Sequence, residues 1–420
     1  MKHTRIAAAL AVVALVAGAC TAQDDGRTEL TLLLFGGPDE VAGYEQMAAA
    51  FEDLNPDLAL TISPVAKQDD LLARLATSFA GGAPPELFLI NFRKYGQFVQ
   101  QGALAEVQPY LDASTVIAAS DFVEPPLDAF RFDGRNLSCQ PQNVSNLVAY
   151  VNLDLFQAAG IPVPYDGWTW DEFVTATLAM TTDSTYGLGT EASIIRLAPF
   201  VWSAGGEVVD DTDAPTQLML EDGPARAAYD FFLDLALVHG VTPPDAELQS
   251  EDHESRFLRG GLGIYLNSRK STPTLRTIDS FEWDVVPLPV APGGTAVTML
   301  HSDAYCIAAG TGLEDQAWRV IEFAMSQRGQ QILAESGRTV PSRIDVLDSP
   351  GFLDATLPPA NSEAFADNAR IARATPHVPS WARVESAVDD LLEAAFLGRI
   401  DRDDALTEMH ELARALFAGG

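Results

Sequence analysis

Residues 30–90 alternate between short apolar runs and helical periodicities. Continuous apolar runs and a strictly alternating segment indicate strands, while apolar residues spaced three and four apart indicate helices. Because strands and helices alternate with short connections, this part predicts a parallel sheet covered by helices. The predicted strands cover 30–35, 58–62 and 87–90, and the predicted helices cover 41–54 and 69–79.

The remaining residues continue this mixture, and we find no internal repeat. Thr169 and Glu172 stand three residues apart, a spacing typical of the capping box that opens a helix. The pattern therefore predicts an α/β protein throughout. Further strands are predicted at 147–151, 262–266, 283–288 and 306–308, and further helices at 193–203, 224–237, 251–258, 316–325, 330–336 and 406–416.

The charge balance restricts the partners of this chain. Lys and Arg number 26 against 59 Asp and Glu, so the formal net charge is -33 in 420 residues. Nucleic acid is excluded as an expected partner, because binding to phosphate backbones depends on a dense basic surface. An apolar fraction of 47% is that of an ordinary globular protein. The length suggests two or three domains.

The first residues have the features of a secretion signal. Lys2 and Arg5 precede an apolar run at 6–16, and small residues at 17–19 stand directly before Cys20. This arrangement resembles the lipobox of bacterial lipoproteins, so we expect a signal peptide at 1–19, lipid on Cys20 and a tether at 20–28. The alternative is plain secretion, with Cys20 buried or removed.

Motifs for metal, nucleotide or covalent chemistry are missing from the sequence. No two of the six histidines fall at metal-ligand spacing, and neither a nucleophile elbow nor a phosphate-binding loop occurs. Residues 187–192 fit a dinucleotide fingerprint by letter, but polar residues at 181–185 precede them where a buried strand is needed. We therefore expect no cofactor and no metal, and the many carboxylates cannot by themselves identify a glycosidase.

A series of short segments resembles the extracellular solute-binding proteins of bacterial ABC importers, specifically the sugar-binding family that includes the maltose-binding proteins. Each segment is a weak signal alone, but their order extends over nearly the whole chain after residue 20. They are 33–36 (LLFG), 50–56 (AFEDLNP), 85–88 (PELF), 150–156 (YVNLDLF), 159–161 (AGI), 168–173 (WTWDEF), 202–207 (WSAGGE), 286–289 (VPLP) and 337–343 (GRTVPSR).

The resemblance implies a two-lobed, periplasmic-binding-protein-like fold of type II with discontinuous lobes. One lobe is expected from 29–139 plus 300–340 and the other from 140–299 plus 341–420. The implied function is that of a lipoprotein, anchored to the outer face of the cell membrane, which captures a sugar or polyol and delivers it to a membrane permease. We expect a monomer without enzymatic activity.

Two cysteines remain besides Cys20. In an exported chain Cys139 and Cys306 can pair, and two buried thiols are the alternative. The resemblance implies that both lie on neighbouring hinge strands, where a disulfide is geometrically plausible.

The resemblance also implies ligand-binding residues in the first lobe and the first crossing segment. Each has another interpretation: charge at a helix start for Asp39, Glu40 and Arg93, and hinge hydrogen bonds for Asn143 and Ser145. The candidates are Asp39, Glu40, Asn91, Arg93, Asn143 and Ser145, with Lys94 beside Arg93.

The remaining candidates belong to the second lobe and to the later crossing segments. Aromatic faces and amides bind the two sides of a sugar ring, although a core position is the alternative for Trp202. Trp381 resembles the stacking aromatic of relatives, and a salt bridge between lobes is the alternative for Arg338. The candidates are Trp202, Tyr265, Asn267, His301, Asp303, Arg338 and Trp381.

Two other functions are left open by the sequence. The basic pairs at 93–94 and 269–270 favour an anionic or phosphorylated ligand, such as a glycerophosphodiester, in an otherwise acidic chain. An exported carbohydrate-active enzyme is the second alternative, although it lacks any supporting motif.

Overall fold

Two mixed six-stranded sheets form the frame of the molecule. The structure is a computed structural model that describes residues 26–419, so the predicted signal peptide and Cys20 lie outside the described residues. The strands are β1 (Thr28–Phe35), β2 (Leu58–Val65), β3 (Leu87–Asn91), β4 (Leu104–Ala105), β5 (Gln140–Pro141), β6 (Ser145–Asn152), β7 (Tyr186–Gly189), β8 (Leu262–Ser268), β9 (Trp283–Val286), β10 (Thr298–His301), β11 (Asp303–Ala308) and β12 (Ala372–Arg373).

Helices cover both sheets. The helices are α1 (Pro38–Leu54), α2 (Gln68–Ala80), α3 (Phe92–Gln100), α4 (Gln108–Ala113), α5 (Glu124–Ala129), α6 (Leu153–Ala159), α7 (Trp170–Met180), α8 (Ile194–Ser203), α9 (Gly223–Leu237), α10 (Asp245–Leu248), α11 (His253–Leu258), α12 (Thr272–Leu275), α13 (Glu314–Ala324), α14 (Gln327–Glu335), α15 (Ile344–Leu347), α16 (Glu363–Ile371), α17 (Trp381–Phe396) and α18 (Arg402–Ala418). Within residues 26–419, none of them has both the length and the apolarity to cross a membrane.

The first sheet has the order β2-β1-β3-β11-β4, and β5 also pairs with β11. Strand β1 is parallel to β2 and to β3, as the sequence pattern predicts. That prediction covered residues 30–90 only, and the later strand β11 joins the same sheet antiparallel to β3. This strand returns from the second sheet more than two hundred residues after β3 and enters from the opposite end.

The second sheet has the order β12-β10-β6-β8-β7, with β9 paired to β6. Its centre is β6, whose eight residues are all buried and which runs antiparallel to β8, β9 and β10. The short strand β7 is parallel to β8. Strand β6 therefore leads directly from the first crossing segment into the core of the second lobe.

The predicted capping box is present at the start of α7. The Thr169 hydroxyl accepts a hydrogen bond from the Glu172 amide, and the Glu172 carboxylate accepts from the Thr169 amide at 2.7 Å. The box satisfies amides that the first helical turn leaves without partners. Helix α7 consequently begins where the sequence predicts, beside the apolar contact between Trp170 and Phe231.

Three chain segments cross between the sheets, near residues 142, 302 and 340, and they are bonded to one another. The Gln142 amide donates to the Asp303 carbonyl at 2.8 Å, and the Val144 amide donates to the Val340 carbonyl at 2.9 Å. These crossings form the hinge. The predicted lobe boundaries remain a prediction, with β5 (Gln140–Pro141) in the first sheet and β10 (Thr298–His301) in the second.

A disulfide joins Cys139 to Cys306, with the Cα atoms 4.5 Å apart. Strands β5 and β11 pair beside it, and both sulfur-bearing residues are fully buried. The bond ties the first crossing segment to the strand that returns to the first sheet, which is where the resemblance implied a pairing.

Candidate functional site

A polar cavity of about 200 Å³ lies between the two lobes, beside the hinge. Most of its lining side chains lie at or after the carboxyl ends of β1, β2, β3, β7 and β8, the place where open α/β sheets bind ligands. The crossing segments supply the remainder. The lining residues are Phe35, Glu40, Gln68, Asn91, Arg93, Asn143, Ser145, Glu191, Ile195, Arg196, Asn267, Ser268, Lys270, His301, Asp303, Arg338 and Thr339.

We call the side chains on the first-lobe side the first wall: Glu40, Asn91, Arg93, Asp303 and Arg338. The Nε of Arg338 forms an ion pair of 2.6 Å with Glu40 Oε2. Burial nevertheless raises the pKa of Glu40 to about 7, with Arg338 acting against the rise and Asp303 adding to it. The glycine at position 36 makes room for this carboxyl, since a Cβ there would collide with the Glu40 side chain.

Asp303 is held by amides at the edge of the first sheet. The Nδ2 of Asn91 donates to Asp303 Oδ1 at 3.1 Å, and the Asp303 amide donates to Asn143 Oδ1 at 3.0 Å. Burial raises the pKa of Asp303, although both amides and Arg93 oppose the rise. The return crossing also brings His301 to the cavity, and its buried Nε2 has no hydrogen-bond partner among the described residues.

A carboxylate of the second lobe neutralises Arg93. Its guanidinium forms an ion pair with Glu385 of α17, and Lys94 Nζ lies 3.6 Å from the same carboxylate. Burial opposes ionisation of Glu385, but Arg93 and Lys94 together lower its pKa below the ordinary value. The Nε of Arg93 donates to Asn91 Oδ1 at 3.1 Å, so the guanidinium is fixed on two sides.

The expected role of Trp381 as a stacking aromatic is not what the structure shows. Trp381 is the first residue of α17, has 0% exposure and does not line the cavity. Its Nε1 donates to Glu385 Oε2 at 2.9 Å, and its ring stacks on Phe417. Because Glu385 holds Arg93, Trp381 supports the first wall without contacting the cavity.

We call the opposite side the second wall: Glu191, Arg196, Asn267, Ser268 and Lys270. The Nη2 of Arg196 donates to Asn267 Oδ1 at 3.1 Å and lies 3.2 Å from Glu191 Oε2. Arg196 is 3% exposed, yet its Nε has no hydrogen-bond partner among the described residues. Partial desolvation and the charge of Arg196 lower the pKa of Lys270, whereas Arg196 lowers the pKa of Glu191.

Two other aromatic candidates are in the core and not at the cavity. Trp202 is 5% exposed and lies under the Arg373 guanidinium, 4.8 Å from the ring centre. Tyr265 of β8 packs against Phe257 of α11, and its hydroxyl accepts a hydrogen bond from the Asn267 side-chain amide. The residues nearer the end of β8, Asn267 and Ser268, line the cavity instead.

The structure thus brings nine sequence-predicted residues to one cavity. For Asp39 it gives only the position, as the second residue of α1. The nine are Glu40, Asn91, Arg93, Asn143, Ser145, Asn267, His301, Asp303 and Arg338.

Sequence reasoning missed most of the second wall. Glu191 and Arg196 follow β7, a strand of only four residues that gives no recognisable apolar pattern. The sequence singles out Lys270 only as a member of the basic pair at 269–270. Its neighbour Arg269 is 2% exposed, lies 4.3 Å from the Phe352 ring and does not line the cavity.

A larger cavity of about 680 Å³ lies beside α5 and α16 and shares no lining residue with the central one. Its lining comes from α5, from residues 212–213 and from the region of α16 and β12, and it includes none of the side chains of the first and second walls. No group of three or more His, Cys, Asp or Glu side chains between residues 26 and 419 is arranged to hold a metal ion.

Comparison with known proteins identifies the architecture. The family model described as bacterial extracellular solute-binding protein matches residues 37–331. A putative binding protein of Brucella abortus is 24% identical over 430 residues, with 98% of this chain and 97% of that protein covered.

Solved structures show the same two-lobed fold. An ABC substrate-binding protein from Listeria monocytogenes, in complex with cycloalternan, superposes with a TM-score of 0.84 at 21% identity, covering 93% of this chain and 99% of that one. The sugar-binding protein MalE from Xanthomonas citri superposes with a TM-score of 0.82 at 21% identity, covering 93% and 98%. The expected fold class is confirmed.

Proposed function

Because the chain belongs to the family of bacterial extracellular solute-binding proteins, we propose that it captures a sugar or polyol and delivers it to the membrane subunits of an ABC importer. Membership of this family makes it an exported protein. The Listeria protein is in complex with cycloalternan and the Xanthomonas protein is a sugar-binding protein, which supports a carbohydrate ligand here.

The observation that carries the proposal is the position of the polar cavity between two sheet edges. Asn91 and Asp303 face it from the first lobe, and Asn267 and Ser268 face it from the second. A ligand that contacts both lobes binds the closed arrangement better than an open one, so binding stabilises closure. A net gain of about 0.5 to 1.5 kcal/mol per hydrogen bond means that micromolar affinity, about 8 kcal/mol, needs at least about five hydrogen bonds, so both lobes must contribute.

The protein performs no chemical step in this proposal. Each cavity carboxylate already has a binding partner: Glu40 contacts Arg338, Glu191 contacts Arg196, and Asp303 contacts Asn91. We propose further that lipid on Cys20 anchors a monomeric protein to the outer face of the cell membrane, and that the two lobes divide near residues 139, 300 and 340.

A thermal-shift screen against monosaccharides, disaccharides and polyols tests the proposal. A ligand at 100 times its dissociation constant stabilises the protein by about 2.7 kcal/mol. We expect Asn267→Ala to reduce that shift and Asn136→Ala to leave it unchanged, since Asn267 lines the cavity and the exposed Asn136 donates to Glu106 outside it. Mass spectrometry of the ligand after incubation should show an unchanged molecule, and accumulation of a product would contradict the proposal.

A further inference from the structure

The charge of the cavity differs from that of the whole chain. The formal net charge is -33, yet four cationic side chains line a cavity of about 200 Å³. They are Arg93, Arg196, Lys270 and Arg338. Placing this many cations at one site in an acidic protein is costly unless each has an anionic partner.

Two of these cations are neutralised inside the protein. Arg93 pairs with Glu385, and Arg338 pairs with Glu40 at 2.6 Å. Both carboxylates have side-chain exposures of 12% or less, so these are well-shielded pairs with fixed geometry. They give each cation of the first wall an acidic partner, while the Asp303 carboxylate accepts a hydrogen bond from the Asn91 amide.

Of the other two cations, Arg196 alone has a carboxylate partner, and that carboxylate is exposed. Glu191 contacts Arg196 at 3.2 Å, but its side chain is 58% exposed. Lys270 has no ion pair with a carboxylate among the described residues. The second wall therefore holds two positive charges against one solvated negative charge.

Arg196 also has an unused hydrogen-bond donor. The residue is 3% exposed, and its Nε has no partner among the described residues. A buried donor without a partner is unfavourable, and an acceptor supplied by a ligand would satisfy it. An anionic oxygen makes the stronger, charge-assisted bond, and the planar guanidinium matches the geometry of a carboxylate or phosphate.

The remaining walls suit hydroxyl groups in a small ligand. Buried amides and hydroxyls of Asn91, Asn143, Ser145 and Ser268 line the cavity. Among the described lining residues, Phe35 is the only phenyl or indole ring, so the broad aromatic platform that stacks on extended sugars is missing.

We propose that the ligand is a small polyhydroxylated anion, a sugar or polyol carrying a carboxylate or phosphate, whose charged group binds between Arg196 and Lys270. This inference rests on the proposed transport function and specifies its ligand class. It places the anion on the second wall, whereas the sequence alone pointed equally to Arg93, which Glu385 already neutralises.

Calorimetry with matched ligand pairs tests the charge requirement. The pairs are D-glucuronate and D-glucose, D-glucose 6-phosphate and D-glucose, and glycerol 3-phosphate and glycerol, each at low and high salt. We expect the anionic member of at least one pair to bind at least about tenfold more tightly than its neutral counterpart, with weaker binding at high salt. The glucuronate arm identifies a carboxylate and the other two arms identify a phosphate.

Variants locate the anion. Lys270→Gln and Arg196→Gln should each weaken the anionic ligand by about tenfold or more, whereas Lys270→Arg should retain most of the affinity. Arg328→Gln is the matched control, because it removes one positive charge from the exposed start of α14, outside the cavity. Lys270 is exposed, so its variants keep the fold even where Arg196→Gln does not.

The outcomes separate this inference from the transport function. Tight binding of a neutral sugar that is insensitive to salt and to Lys270→Gln overturns the anion inference and leaves the proposed function intact. Failure of all three anions to bind also overturns it. Absence of any small polar ligand, both in this set and in native mass spectra of the protein after exposure to a polar metabolite extract, contradicts the proposed function as well.

Discussion

The two walls of the central cavity differ in how carboxylates balance their cationic side chains. On the first wall each cation has a shielded carboxylate: Glu385 for Arg93 and Glu40 for Arg338. On the second wall Arg196 pairs with the exposed Glu191, and Lys270 has no carboxylate partner among the described residues. The cations of the first wall have acidic partners without a ligand. The second wall carries an excess positive charge that an anionic ligand would balance.

This difference shows how one cavity can combine rigidity with selectivity. Neutralised and hydrogen-bonded groups keep their geometry when the ligand leaves, so they recognise hydroxyl positions at little reorganisation cost. Groups with unpaired charge discriminate between ligands, because a neutral molecule leaves the excess positive charge of the second wall unbalanced. The predictions below test each half of this comparison.

Glu385→Gln should have the largest effect, because it removes the shielded carboxylate that pairs with Arg93 on the first wall. Removing one partner of a buried ion pair costs about 3 to 5 kcal/mol. The free energy of unfolding, measured by urea denaturation, should fall by that amount. The control is Glu393→Gln, which removes an exposed partner of Arg399 and should cost at most about 1 kcal/mol. Equal losses in both variants would contradict the distinction between shielded and exposed pairs.

Removing the disulfide should come next. Cys139→Ser with Cys306→Ser opens a crosslink between residues separated by 167 positions, which should cost about 2 to 5 kcal/mol of unfolding free energy. Since the bond secures β11, which begins at Asp303, we expect the double variant to lose ligand affinity through the first wall as well. Reduced wild-type protein should reproduce the loss, and an unchanged denaturation midpoint would contradict it.

The two walls should also respond oppositely to pH. Burial raises the pKa of Glu40 from 4.5 to about 7, so the folded protein keeps a proton that the unfolded chain releases. The stability contribution of Glu40 therefore falls as pH rises from about 4.5 to 7, by about 3 kcal/mol in total. In Glu40→Gln the free energy of unfolding should therefore fall less between pH 5 and 7 than in the wild type. The fall should not vanish, because burial also raises the pKa of Asp389 to about 7.

Glu191→Gln is the matched control on the second wall. Arg196 lowers the pKa of Glu191, so its contribution to stability is lost only as pH falls below the ordinary value of 4.5. The fall in the free energy of unfolding between pH 5 and 7 should therefore be the same in Glu191→Gln as in the wild type. An equal change of slope in the two variants would contradict the assignment of the titration to Glu40.

The smallest stability effect should come from the same Glu191→Gln variant at pH 7. Its side chain is 58% exposed, so loss of the pair with Arg196 should cost at most about 1 kcal/mol. Affinity for an anionic ligand should rise several-fold, because the competing carboxylate is gone. Calorimetry with D-glucuronate and D-glucose 6-phosphate measures this change, and weaker binding of both would contradict an anion site at Arg196.

Much of the fold was predictable because local signals agreed with the tertiary structure. The apolar run at 30–35 lies within β1, and the Thr169 capping box opens α7. Very short strands such as β4 (Leu104–Ala105) and β12 (Ala372–Arg373) have no pattern of their own, because their pairing depends on neighbours distant in sequence. The antiparallel direction of β11 depends on the same long-range pairing.

The candidate site was predictable to a lesser extent. Residues that follow strongly apolar strands, such as Asn91 and Arg93 after β3, were identified because the strand itself was visible. Arg196 follows the weak strand β7 and was missed. Trp381 was expected at the cavity, but burial of its ring in the core of the second lobe brings only its hydrogen-bond partner Glu385 into contact with Arg93.

The amino-acid sequence alone determined the order of strands and helices, the α/β class and the resemblance to solute-binding proteins, since these depend on local periodicity and short segments. Only the tertiary structure decided which charges of the cavity are neutralised. Arg93 and Glu385 are separated by 292 positions, and Arg196 and Asn267 by 71. Pairing at such separations depends on how the lobes pack, because Coulomb interactions and hydrogen bonds depend on distance in space.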